Sequence, residues 1–142
     1  MIKKLLKNVI LNPKKLFLID GFGAFLSAFL LGVVLVKFES TIGIPPSSLY
    51  FLTAFPLIFT MYDFYCYRKN HNNLRCFLKG IAVVNLLYCC LSIGVAFLHR
   101  KTITNLGWTY IIVEVFIITI LSNFELKVAK QLTKKTNKKL EP

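Results

Sequence analysis

The stretch LFLIDGFGAFLSAFLLGVVLV, residues 16–36, decides the fold. At 1.5 Å per helical residue it is roughly 30 Å long, the thickness of a bilayer's hydrocarbon core. Asp20 is its one ionisable side chain. The Lys-rich start, with Lys3, Lys4, Lys7, Lys14 and Lys15, is compatible with a signal peptide. The apolar run is too long for one, however, and no small-residue cleavage pattern follows, so the stretch reads as a retained membrane span.

Three similar runs follow, at about residues 48–67, 77–98 and 106–124. The expected fold is therefore all-α, a four-transmembrane-helix bundle over residues 16–126. Residues 1–15 form a surface segment and residues 127–142 a basic tail. Composition agrees: 56% of the 142 residues are hydrophobic, above the 45–50% usual for soluble domains. A chain this short cannot enclose so much apolar surface in water.

The net charge of +12 can signal nucleic acid, but here the basic residues lie in blocks between apolar runs. That layout fits the lipid bilayer and anionic lipid headgroups met by Lys-rich ends, not nucleic acid. It also orients the chain. Fifteen Lys and Arg fall on the side of the N-terminal segment, the 68–79 connection and the tail, against Lys37, Arg100 and Lys101 on the other. By the positive-inside rule both termini face the cytoplasm of a multi-pass protein in a bacterial inner (plasma) membrane. Within residues 2–10, Ile2, Leu5, Leu6, Val9 and Ile10 share one face opposite Lys3, Lys4 and Lys7. This predicts an interfacial amphipathic helix ended by Asn12-Pro13. The closing KKTNKKLEP is charged and apolar-poor, which predicts disorder.

Ionisable and strongly polar groups inside spans are the informative residues, because lipid penalises them. They are Asp20, Asp63, Asn85 and Glu114, with Tyr88 beside Asn85. Counting from the span ends sets Asp20 and Asp63 roughly 6 Å below the inner boundary and Asn85 and Glu114 roughly 12 Å deep. Helical phase aligns Asp20 with Ala24, Ala28 and Gly32, and Asp63 with Thr60 and Pro56. It also aligns Asn85 with Cys89, Ser92 and Ala96, and Glu114 with Gly107, Tyr110 and Leu121, with Ser122 at the edge and Glu125 back in phase. For Asp20 and Asp63 the structural reading is an ion pair with Lys14, Lys15, Arg68 or Lys79, and the functional one an inner cation or proton site. For Glu114 the structural reading is a protonated acid bonded to Asn85, Tyr88 or Tyr110, and the functional one a proton- or substrate-coupling carboxylate.

Other signals are quiet. Gly21 and Gly23 follow no strand and read as packing residues. Cys66, Cys76, Cys89 and Cys90 form no C-x-x-C pair, His71 and His99 fall on opposite sides of the membrane, and no nucleophile–base motif appears. No catalytic residue, metal site or cofactor is assigned, and an enzyme is the weakest reading.

The runs LFLIDGFGAFLSAFLLGVVL (16–35), NLLYCCLSIG (85–94) and FELKVA (124–129) resemble a family of small four-span bacterial membrane proteins of the Bacteroidota type. The likeness covers residues 13–130. It implies the topology and a weight on Asp20, Asn85, Tyr88 and Glu125, and brings no assigned activity. Two functions are expected. The first is a structural or partner-binding bundle, self-associating or packing with a membrane protein partner. The alternative is a small proton-coupled transporter or channel. A water-accessible cavity reaching Glu114 favours the second, and tight packing of the polar faces the first.

Overall fold

The structure, a computed structural model, describes residues 12–68 and 73–138, with side chains through residue 133. The amphipathic segment read over residues 2–10, His71 and residues 139–142 lie outside the described residues. The described chain is all-α. It comprises α1 (Lys14–Phe29) continued by a π-helical stretch (Leu30–Leu35), a single turn α2 (Glu39–Ile42), α3 (Pro46–Arg68), α4 (Leu74–Leu98) and α5 (Asn105–Lys138). Among the described residues, three helices are long and apolar enough to cross a membrane: Lys14–Leu35, Pro46–Arg68 and Leu74–Leu98.

Two antiparallel pairs form. α1 packs along α3 and α4 along α5, while contacts between the pairs are far sparser. Glycine brings the first pair together at both ends. At Gly21 a side-chain carbon would stand 3.1 Å from Cβ of Asp63, and at Gly32 one would stand 2.9 Å from Cγ2 of Thr53. Buried Leu16, Phe17, Leu31, Leu49, Leu52, Leu78 and Ile111 belong to one apolar core. The outward faces are apolar too: Phe22, Phe25, Phe29, Ile58, Leu87, Ile112 and Phe116 are exposed. An exposed belt of this extent suits lipid, not water.

Proline opens two of the helices, and the last helix is longer than its sequence reading. Pro13 stands at the start of α1, its carbonyl accepting from the Leu16 N–H. Pro45 and Pro46 open α3, the Pro45 carbonyl accepting from the Ser48 and Leu49 N–H groups at 3.0 and 3.2 Å. Proline suits a first helical turn because its missing N–H would have no partner there. α5 runs on to Lys138, into the stretch expected to be disordered. Its inward face continues through fully buried Glu125, Val128 and Ala129, so packing carries the helix past its apolar span.

The connections that follow α1 and α4, at the same end of the bundle, are locked together. The Thr104 hydroxyl donates to the Thr41 and Ile42 carbonyls at 2.6 and 3.2 Å and accepts from the Gly107 N–H at 3.2 Å, which caps α5. Gly43, at φ +79°, lies against the Thr102 carbonyl, where any other residue would be strained and would clash.

Candidate functional site

Because the two pairs meet sparingly, a gap remains between them. It is a cavity of about 440 Å³ whose polar wall is Asp20, Ser27, Asn85, Tyr88, Tyr110 and Glu114. The rest of its lining is almost wholly apolar, and no Lys, Arg or His is among the described residues that line it.

Glu114 is the hub of the half nearer the start of α5. It is 8% exposed and accepts hydrogen bonds from four hydroxyls. Ser27 donates from α1. Tyr88 and Ser92 donate from α4 at 3.3 and 3.5 Å, and Tyr110 from α5 at 3.4 Å. A hydroxyl both donates and accepts. The same four partners therefore serve a charged or a protonated carboxyl without stranding a buried polar atom.

The half nearer the start of α1 is built differently. Asn85 Nδ2 donates to Asp20 Oδ2 at 3.0 Å. Asp20 also faces the Asp63 carboxyl within hydrogen-bonding reach once one of them carries a proton. Asp63 and Glu125 are 0% exposed, and neither oxygen of either side chain meets a hydrogen-bond donor; the Ser122 hydroxyl is likewise buried without a partner. Asp20 thus belongs to two environments at once, the open cavity and the closed acid cluster. Among the described residues no group of three or more His, Cys, Asp or Glu is arranged to hold a metal ion.

All five residues singled out from the sequence, Asp20, Asp63, Asn85, Tyr88 and Glu114, are buried. They separate into two centres. Tyr88 and Tyr110 meet Glu114, as the phases suggested. Asn85 does not: it bonds Asp20 instead. The antiparallel fit of α4 on α5 levels Glu114 with Tyr88 and Ser92, leaving Asn85 about one turn nearer the start of α4. Asp63 meets another acid in place of the expected basic partner, because Gly21 admits α3 so closely that Asp63 is sealed from the surface.

Ser27 escaped the sequence reading, although it stands two turns beyond Asp20 and so on a similar face. The cysteines are free thiols, Cys66 and Cys89 buried, Cys76 and Cys90 exposed. Comparison of the chain with known protein families, with curated proteins and with solved structures returned no match.

Proposed function

We propose that this chain is a four-span protein of the bacterial inner membrane, both termini in the cytoplasm, acting as a small proton-coupled transporter. α5 is taken as the fourth span, since residues 106–124 are apolar apart from Glu114 and a few small polar groups. One observation carries the functional reading: a single cavity reaches both Asp20 and Glu114. An acid exposed to a cavity can exchange protons with what enters it, and one sealed by packing cannot.

Glu114 is the coupling group in this scheme. Its ring of hydroxyls tolerates either protonation state, as a group that loads and unloads a proton requires. Asp20 lies on the inner side and relays protons toward the cytoplasm. The alternative, a structural or partner-binding bundle, is favoured only at the inner end, where Asp63 and Glu125 are packed shut.

The test is a pH jump across proteoliposomes holding wild type or Glu114→Gln, with thermal stability measured alongside. Gln keeps the size and hydrogen-bonding capacity of Glu but cannot release a proton. Proton flux in wild type, lost in a Gln variant of normal stability, is the expected result. No flux in either protein, with stability unchanged, removes the transporter reading and leaves the structural one.

A further inference from the structure

The lining of the cavity also specifies its occupant. Leu26, Leu106, Val113 and Ile117 line it and are each more than half exposed. They lie on α1 and α5, which touch little along their lengths. The opening therefore lies on the same apolar belt as Phe25, Phe29 and Phe116. A solute arriving from water would meet an apolar rim, whereas one dissolved in the bilayer meets a surface like its own surroundings.

At the far end of this greasy entrance stand two carboxyl groups and no basic residue. A carboxylate withdrawn from water requires a compensating proton or cation. An anionic ligand would be repelled by both acids, and a neutral one could not replace the proton. A cation can, and the faces of Phe59, Tyr88 and Tyr110 in the same wall suit a diffuse positive charge.

We propose that the cavity binds a lipophilic monocation, which enters sideways from the membrane between α1 and α5 and sets its charge against Glu114. This rests on the reading of the cavity as a proton-linked site. The exchange balances: one proton leaves the Glu114 carboxyl for bulk water as one cation enters, so the charge inside the cavity is unchanged.

The probes are tetraphenylphosphonium and tetraphenylborate, alike in shape and opposite in charge, added to the purified full chain in detergent. Saturable binding of the phosphonium is expected, with about one proton released per cation bound and no saturable binding of the borate. Affinity falls about tenfold for each pH unit at which the proton outcompetes the cation. Glu114→Gln lowers it at least tenfold and abolishes proton release.

A second variant guards against misfolding. Gly23 lines the cavity, yet a side-chain carbon there meets nothing within 4 Å. Gly23→Phe puts a bulky ring on the lining with room for its first carbon, leaves both acids unsubstituted and raises helix propensity. It is expected to lose phosphonium binding at unchanged melting temperature. Equal binding of the borate, phosphonium binding without proton release, undiminished binding by both variants, or no phosphonium binding at all overturns the cation assignment. Proton flux by wild-type liposomes under any of those results shows that the proton-linked reading survives it; absence of that flux shows that the reading failed as well.

Discussion

Asn85 of α4 donates to Asp20 of α1 at 3.0 Å, tying one helix pair to the other across the gap between them. The bond lies at the end of the cavity nearer the start of α1, and both partners are at most 5% exposed. It holds the width of the cavity at that end, as the Ser27–Glu114 bond does further out.

Replacing Asn85 by Leu removes the donor and leaves Asp20 buried without it. An orphaned polar partner of this kind costs about 1–3 kcal/mol, more when charged. Thermal unfolding in detergent should show Asn85→Leu clearly destabilised. Asn85→Gln, which keeps the donor on a longer arm, should fall between it and wild type. Equal melting of Asn85→Leu and wild type would show that the bond does not hold the pairs together.

Neighbouring positions on α1 separate packing from lipid exposure. Ala28 is 4% exposed and Phe29 49%. Ala28→Leu forces a branched side chain into a filled space, an overpacking that costs about 1–3 kcal/mol. Phe29→Leu exchanges one lipid-facing apolar group for another and should be nearly silent. Detergent stability measured on the two variants checks this, and equal effects would contradict the face assignment.

Topology has its own test. In a background without native thiols, cysteines at Ser40 and Thr102, both exposed in the connections that follow α1 and α4, should react with an impermeant reagent added to intact cells. A cysteine at Asn72, between the second and third spans, should react only after the membrane is opened. Labelling at 72 in intact cells would overturn the orientation drawn from fifteen basic residues against three.

Much of the burial was legible because helical phase is a local property. Thr60 with Asp63, and Asn85 with Cys89, Ser92 and Ala96, were placed on inward faces by spacing alone, and all are buried. The stripe Asp20–Ala24–Ala28–Gly32 shows where spacing stops sufficing. Steps of four residues overshoot a 3.6-residue turn by about 40° each. Gly32 consequently meets Thr53 on α3, while Asp20 and Ala24 line the cavity. Which acid meets which partner depends on how far one helix slides past another, and no single helix records that. The bond of Asn85 to Asp20, the reach of Ser27 to Glu114 and the cavity itself all arise from this slide. Glu125 was in phase, yet its burial depends on α5 continuing inward beyond its apolar run.

The π-helical stretch Leu30–Leu35 lies between two fixed points of its helix: the contacts of Asp20 at one end and the Thr41–Thr104 lock beyond the other. A wider turn accommodates surplus chain without breaking the helix. The two ends are therefore indexed independently, and this stretch is where the chain tolerates a change in length. Deleting one residue here would tighten the coil and leave both anchors in register. The same deletion in α3, which has no such slack, would swing Asp63 about 100° away from Asp20.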